Sequence, residues 1–218
     1  MTIFMKAYDL HSHTKYSPCS NLDPKLVLKL AKKRGLNGIA ITDHNEIKAA
    51  YQISKLNKDK DFEVILGSEL SVNGGHMTAL YINELPKELD FLSVVDSVRS
   101  QGGLLILAHP YDLSRKHFDD NFILQNRKHF DAVEVFNSTE IFNVFNKKAL
   151  QFHLRYDITP VGGSDSHFSF EVARTKTFFS GDLFKSIKTN KTFVSGTNFY
   201  GLPGHVFTRI HKLLRPIS

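Results

Sequence analysis

The sequence predicts a single α/β domain in which a mainly parallel sheet closes into a small, distorted barrel. Apolar, strand-like runs alternate with amphipathic helical stretches, a pattern typical of parallel strands joined by helices. About seven such units fit into the 218 residues, which favours a barrel over an open sheet. No linker or low-complexity segment divides the chain. We therefore expect one domain over 1–218, with a core at about 7–180 and a C-terminal extension at 181–218.

The first half of the chain alternates strands and helices in order. A strand at 7–11 precedes a helix that begins at Pro24 and ends before Gly35, because proline suits the first helical turn and glycine the position after the last. The strand GIAIT leads into an amphipathic helix over 46–57. The strands FEVILGSEL and MTALYI follow, and then a helix over 91–101.

The second half adds the strands LLILAHP, AVEVFN and ITPVGGSDSH, with a helix over 141–155 before the last of them. Past Arg174 we expect a strand in TKTFF, a short helix in DLFKSIKTN and an edge strand in KTFVSG. The tail FYGLPGHVFTRIHKLLRPIS is basic and partly amphipathic, so it is expected to pack on the barrel as a helix. Contact with a partner or a membrane surface is the alternative.

Composition narrows the class of protein. The 28 basic and 22 acidic residues give a net charge of +6, which favours anionic partners such as phosphates or nucleic acid, although a lysine-rich soluble surface explains the same value. The single cysteine, Cys19, excludes an intramolecular disulfide. Neither a secretory signal nor an apolar run of transmembrane length is visible. We therefore expect a cytoplasmic protein without a membrane span.

Histidine and carboxylate side chains stand at the ends of the apolar runs, which is hard to explain as packing. Because catalytic residues of such barrels sit at the C-terminal strand ends, we expect these side chains to meet at one rim. His76 departs from this pattern, because it precedes its strand. The candidates are His11, His13, Asp43, His44, Glu69, His76, His109, Asp165 and His167.

These side chains form a donor set for metal ions. His11 and His13 are one residue apart, so an extended strand turns both imidazoles to the same face. Glu69 and Asp165 complete a nitrogen and oxygen set suited to Zn²⁺, Mn²⁺ or Fe²⁺. A second ion can bind to His76 and His109, bridged by the same glutamate. His44 and His167 remain, and they either hold a third ion or face the substrate.

The motifs DLHSHT, ITDHN, GSELS, GGHMTALY, LAHPY, VEVFN and GGSDSH, in this order, resemble those of the PHP family, the polymerase and histidinol phosphatase domain. The resemblance covers 9–167 and continues loosely past Arg174. It implies a distorted (β/α)7 barrel of PHP type and a phosphoesterase site with two or three divalent metal ions. It also divides the ligands: His11, His13, Glu69 and Asp165 for one ion; Glu69, His76 and His109 for a second; His44 and His167 for a third.

Cys19 marks a departure from the family pattern. Family members often place an aspartate or histidine ligand of the third ion at this position. A thiolate ligates zinc well and would favour zinc over manganese there. The alternative is a small buried thiol that leaves the third ion weak or absent.

Further side chains are predicted to act near the ligands. Arg174 follows the last ligand closely enough to approach a substrate phosphate, and Arg115 is a second candidate, with exposed structural roles as the alternative for both. Glu134 and Asn137 end the strand AVEVFN, where they are expected to line the pocket or support the ligands.

The predicted function is hydrolysis of a phosphate ester. Divalent ions outweigh the charge of two carboxylates, so the site attracts a phosphate dianion and stabilises charge on its oxygens. We expect in-line attack on phosphorus by a hydroxide that bridges the first two ions, with His44, His167 and Arg174 in catalytic roles. The expected substrate is a small phosphomonoester, such as a nucleotide or a sugar phosphate.

Other functions stay open at this point. The basic charge also suits a nuclease or an oligonucleotide phosphatase, so single-stranded nucleic acid is a second class of substrate. Histidinol phosphate is a third option, because the family includes its hydrolysis. A catalytically silent, metal-binding interaction module is the alternative from another class. The presence of every first-ion and second-ion ligand argues against it.

Overall fold

A computed structural model describes residues 4–199 together with Thr208. Within them, nine strands form one sheet in the order β7-β6-β5-β4-β3-β2-β1-β8-β9. The strands are β1 (Met5–Asp9), β2 (Gly38–Ile41), β3 (Glu63–Val72), β4 (Gly75–Leu80), β5 (Leu104–Leu107), β6 (Ala132–Asn137), β7 (Thr159–Gly163), β8 (Thr175–Ser180) and β9 (Thr192–Gly196). The predicted tail at 199–218 lies almost entirely outside the described residues.

The helices are α1 (Pro24–Lys33), α2 (Lys48–Leu56), α3 (Phe91–Ser100), α4 (Asp120–Asn126), α5 (Asn143–Tyr156) and α6 (Leu183–Lys188). Local chemistry explains the starts of α1 and α3, since the Asp23 and Asp90 side chains accept from backbone N–H groups of their first turns. The sequence pattern missed α4, which is only 7 residues long. Helix α4 begins after Asp119, whose side chain accepts a hydrogen bond from Phe122 N. This aspartate is the sequence signal that could have located the start of the helix.

The sheet curls until the segments after β1 and β7 meet, which confirms the predicted barrel. His13 N donates to Ser166 O at 2.9 Å and Asp165 N donates to His11 O at 2.7 Å. Gly163 lies against the backbone of His11 so closely that a Cβ atom would overlap it. A glycine is therefore required where the barrel closes. Closure brings the first and last predicted ligand segments together.

Strand β4 runs against its neighbours, and this explains the position of His76. β4 pairs antiparallel with β3 and with β5, whereas β1, β2 and β3 are parallel and so are β5, β6 and β7. A hairpin, not a helix, joins β3 to β4, so β4 begins at the rim where the parallel strands end. A residue at the start of β4 therefore lies beside residues at the ends of the others.

The apolar core lies inside the barrel and between the barrel and its helices. Tyr8, Ile65, Leu104 and Val161 pack inside with other strand residues, and two further clusters fill the layer under the helices. The sheet continues past residue 180, because β9 pairs with β8. Helix α6 packs against β7 and β8. Among the described residues, no helix is long and apolar enough to cross a membrane.

Candidate metal centre

All nine residues predicted as metal ligands converge at the rim. Four groups of side chains each place their ligand atoms within 4.8 Å of one another. The groups are His11, His13 and Glu69; His11, His109 and Asp165; Glu69, His76 and His109; and His13, Cys19, His44 and His167.

Strand register brings these ligands together. The parallel pairing of Ile41 with Leu66 continues to an isolated bridge between His44 and Glu69. A second bridge joins Ser12 to Ser166 and aligns the His11–His13 segment with the segment that carries Asp165. The fold therefore specifies the neighbours of each ligand.

Two ligands have backbones in the left-handed region, with φ of 26° at His109 and 51° at Asp165. For a residue other than glycine such a conformation costs about 1–3 kcal/mol, and it persists only where the surroundings enforce it. The backbone hydrogen bond from Asp165 N to His11 O and that from His109 N to Glu134 Oε2 provide this support. Both residues therefore hold a backbone conformation that their neighbours enforce.

Glu69 is the central acceptor of the cluster and is fully buried. Its two oxygens lie within 3.4 Å of nitrogen atoms from five histidines in four different segments. Oε2 lies 3.4 Å from His11 Nε2, 3.3 Å from His13 Nε2 and 3.0 Å from His44 Nδ1, and Oε1 lies 3.0 Å from His76 Nδ1 and 2.8 Å from His109 Nε2.

Hydrogen bonds fix the tautomers of three ligands. His11 Nδ1 lies 3.1 Å from the Glu134 carboxylate, which can only accept, so Nδ1 carries the proton. His167 Nδ1 donates in the same way to the Asp165 carbonyl at 2.7 Å. Ser17 Oγ donates to Asp43 and therefore accepts from His13 Nδ1 at 3.1 Å. In its neutral form each imidazole is thereby left with a bare Nε2, the form that binds metals.

The bare atoms face one another, which fits metal ions. His13 Nε2 lies 3.2 Å from His11 Nε2 and 3.0 Å from Asp165 Oδ1. Glu69 Oε2, Asp165 Oδ1, His44 Nδ1 and His76 Nδ1 are buried and, among the described residues, lie about 3.0 Å from other atoms of the cluster without the angles of a hydrogen bond. Buried lone pairs that point together are costly unless a cation lies between them. The side chains present therefore suit divalent ions.

The donors divide into two kinds. We call His11, His13, Glu69, His76, His109 and Asp165 the carboxylate subsite, and Cys19, His44 and His167 the thiol subsite.

Strand β6 supplies no ligand but supports the carboxylate subsite. Glu134 accepts from His11 Nδ1 with one oxygen and from His109 N, at 2.8 Å, with the other. Asn137 Nδ2 donates to Glu134 Oε2 and to Asp165 Oδ2 at 3.1 and 3.2 Å. The supporting role expected of these two β6 residues is thus visible in their contacts.

Arg115 contacts the protein's own carboxylates. Its guanidinium group pairs with Asp165 Oδ2, reaches Asp112 Oδ2 at 2.8 Å with Nε, and donates to Thr139 Oγ1 at 2.5 Å. These contacts hold one oxygen of Asp165 and leave the other, Oδ1, directed at the histidines. These contacts agree with the structural role considered for Arg115, but the expected exposure is wrong, because its side chain is only 16% exposed.

Loops support the thiol subsite. Ser17, two residues before Cys19, donates to Asp43 Oδ1 at 2.6 Å and accepts from His44 N at 3.0 Å. Asp43 also accepts from Thr14 N and Oγ1, both at 2.7 Å. On the other side, Glu171 accepts from His167 N at 2.7 Å. The sequence predicted Asp43 as part of the cluster. In the structure its carboxylate holds the loop that contains Thr14 and Ser17.

The charges of the cluster shift the pKa values of its members. Burial lowers the pKa of His11, but Glu134, Asp165 and Glu69 outweigh it and raise the pKa well above its usual range. Burial likewise opposes ionisation of Glu69, yet the surrounding histidines hold its pKa well below normal. Despite burial, His167 and His44 lower the pKa of the Cys19 thiol to about 4. The carboxylates that favour imidazolium at His11 also favour a metal cation in its place, and the lowered pKa of Cys19 makes a thiolate donor available.

Arg174 follows the loop that carries His167 and bonds to the backbone of that loop. Its Nε donates to Phe170 O at 2.8 Å, and its carbonyl accepts from Thr197 N. His117, His129 and His153 also lie outside the four groups, and His153 Nδ1 contacts Ile158 O at 2.7 Å.

Sequence comparison identifies the family. The pattern of the PHP domain matches residues 9–155, and that of a PHP-associated region matches residues 143–193. The chain belongs to the PHP family. Two uncharacterized proteins of Methanocaldococcus jannaschii are relatives. One is 39% identical over 67% of this chain and 90% of its own length, and the other is 38% identical over 79% and 70%.

Solved structures share the PHP fold. A two-domain protein of Bacteroides vulgatus, described as containing a predicted PHP-like metal-dependent phosphoesterase, has a TM-score of 0.74 at 19% identity over 89% of this chain and 66% of its own. The lesion-specific endonuclease EndoQ of Pyrococcus furiosus has a TM-score of 0.60 at 15% identity over 85% of this chain and 56% of its own. This chain thus has the fold of the PHP metal-dependent phosphoesterases.

Proposed function

We propose that this PHP protein hydrolyses small phosphomonoesters, such as nucleotides or sugar phosphates, with two or three divalent ions drawn from Zn²⁺, Mn²⁺ and Fe²⁺. The observation that carries the proposal is the convergence of buried, unpartnered carboxylate and imidazole atoms at one rim of the barrel. When bound, the ions activate water and neutralise the charge of a phosphoryl group.

Access to the site supports a small substrate. The side chains of His11, His13, His109, Glu69 and Asp165 are at most 2% exposed. The side chains of His44, His76 and His167 are 27%, 14% and 10% exposed, so the cluster meets solvent along one edge. A terminal phosphate can reach such an edge more easily than a phosphodiester embedded in a polymer.

The proposed roles follow from the positions of the residues. His11, His13, Glu69 and Asp165 hold one ion, and Glu69, His76 and His109 hold a second. His44 and His167 lie on the accessible edge, where together with Cys19 they hold a third ion beside the substrate phosphate. Glu134 and Asn137 keep the buried ligands in place, and Asp43 and Glu171 do so for the exposed ones.

The test is phosphate release by the purified protein. Loaded with zinc, manganese or iron, it should hydrolyse an aryl phosphate and members of a panel of nucleotides and sugar phosphates. His11→Ala should abolish this activity. The matched control is His129→Ala, because His129 packs against Phe91 away from the cluster and should keep wild-type activity. Failure of every metal with every ester would favour the silent interaction module.

Cleavage of single-stranded nucleic acid is the second candidate, and the net charge of +6 favours it. Labelled DNA or RNA distinguishes the two functions. Release of phosphate from mononucleotides without shortening of the labelled strand supports the phosphomonoesterase. Shortening at rates that exceed phosphate release would replace it with the nuclease.

Arg174 is proposed to contact the substrate phosphate. Its bond to Phe170 O holds the side chain near the loop that carries His167. Arg174→Lys keeps the charge and loses the guanidinium fork, so KM should rise several-fold with kcat little changed. An unchanged KM in steady-state kinetics would assign Arg174 a structural role.

A further inference from the structure

The two subsites offer different donor atoms to a metal. The carboxylate subsite combines imidazole nitrogen with carboxylate oxygen, whereas the thiol subsite contains the sulfur of Cys19, which is only 2% exposed. Thiolate is a soft ligand that selects Zn²⁺ over Mn²⁺ and Mg²⁺, while carboxylate suits all three ions. The two subsites at the rim are therefore expected to differ in the metal ions that they prefer.

His13 lies between the subsites but can serve only one of them. Its Nδ1 is engaged with Ser17, so Nε2 is its only free donor. That atom lies 3.0 Å from Asp165 Oδ1 and 3.2 Å from His11 Nε2, within the carboxylate subsite. Without His13, the thiol subsite keeps three protein donors, Cys19, His44 and His167, and one open coordination position. Three protein ligands with an open position are typical of catalytic zinc sites.

We propose that Cys19 makes the thiol subsite selective for Zn²⁺, so that the working protein carries zinc there and zinc, manganese or iron in the carboxylate subsite. This inference rests on the proposed metal-dependent function and deepens it. His44, whose side chain is 27% exposed, places this subsite on the accessible edge. The zinc ion is thereby assigned to the substrate-facing side of the centre.

Cobalt substitution tests the proposal directly. The full-length protein is stripped of metal and titrated with Co²⁺, whose visible absorption reports binding to any donors and whose near-ultraviolet charge-transfer band reports a bond to sulfur. Cys19 is the single cysteine of the chain, so such a band has one source. We expect both signals in the wild type. Cys19→Ser, a conservative change in size, should retain the visible bands and lose the charge-transfer band.

Competition measures the selectivity. With zinc and manganese offered together, the wild type should retain zinc at one site, and Cys19→Asp should reduce that preference by at least about tenfold, the scale typical of changes at metal ligands. Visible cobalt bands without a charge-transfer band in the wild type would overturn the proposal and leave the metal centre intact. No cobalt uptake at all would instead overturn the proposed function. An equal zinc preference in wild type and Cys19→Asp would also overturn the role of Cys19.

Discussion

The carboxylate subsite and the thiol subsite lie at the same rim but are supported differently. In the first, most of the predicted ligands are almost fully buried, and three of them (His11, His109 and Asp165) are held by the β6 residues Glu134 and Asn137. In the second, partly exposed histidines and a cysteine are held by loop residues, such as Ser17 and Glu171. A ligand supported by the sheet has little freedom, whereas a ligand supported by loops can adjust to a substrate. We therefore expect the carboxylate subsite to hold its ions rigidly and the thiol subsite to hold its ion where a substrate can reach it.

The largest effect is expected at Glu69, which contacts both subsites. Glu69→Gln removes the bridging charge, so kcat/KM for an aryl phosphate should fall roughly a thousandfold, the upper range for loss of one electrostatic contact in an active site. Metal analysis should show loss of ions from the carboxylate subsite. Circular dichroism verifies the fold. A variant that keeps activity within tenfold of wild type would contradict the central role of Glu69.

Glu134 tests the support from β6. Glu134→Gln weakens the hold on His11 Nδ1 and His109 N, so metal affinity of the carboxylate subsite should fall by about 10–100-fold. The cobalt–sulfur band should stay unchanged. Glu63→Gln is the matched control, because Glu63 is also a strand glutamate but bonds Tyr8 Oη instead of a ligand. Equal metal loss in both variants would show that β6 has no special role.

Asp43 tests the support from loops. Asp43→Asn weakens the bonds to Thr14 and Ser17 that hold the segment before Cys19. The affinity of the thiol subsite for zinc should fall about tenfold, with a loss of about 1–3 kcal/mol in unfolding free energy. Asp90→Asn is the control, since Asp90 caps α3 and should affect stability alone. Loss of ions from the carboxylate subsite first would reverse the assignment.

The last prediction concerns the excess negative charge on the carboxylate side. Burial, with Asp112 nearby, raises the pKa of Glu140 from 4.5 to about 9. Between these values the folded metal-free protein holds a proton that the unfolded chain releases. Stability should therefore fall as pH rises through this window, by up to about 1.4 kcal/mol per pH unit, and Glu140→Gln should flatten the slope.

Denaturant unfolding across the window, with a chelator present, measures this slope. Glu88→Gln, a change at an exposed glutamate, is the control. If Glu140→Gln leaves the slope of the wild type unaltered, Glu140 is ionised in the folded state and the carboxylate side is less negative than its residues indicate.

The local sequence pattern by itself determined most of the strands and helices and the membership of the metal cluster. The apolar runs and their flanking residues located the strands and most helices, and the repeated histidines and carboxylates at strand ends identified the members of the metal cluster. The spacing of His11 and His13 predicted their shared face, and their Nε2 atoms lie 3.2 Å apart. These features depend on neighbours in the chain, which a sequence displays directly.

Tertiary structure alone decided how the cluster is divided and supported. The antiparallel turn of β4 placed His76 at the rim, because strand direction follows from pairing and not from the residues of the strand itself. The pairing of Arg115 with Asp165 and the distance of Cys19 from His44 and His167 likewise join segments far apart in the chain. Such contacts arise from barrel closure, and barrel closure depends on the packing of all the strands together.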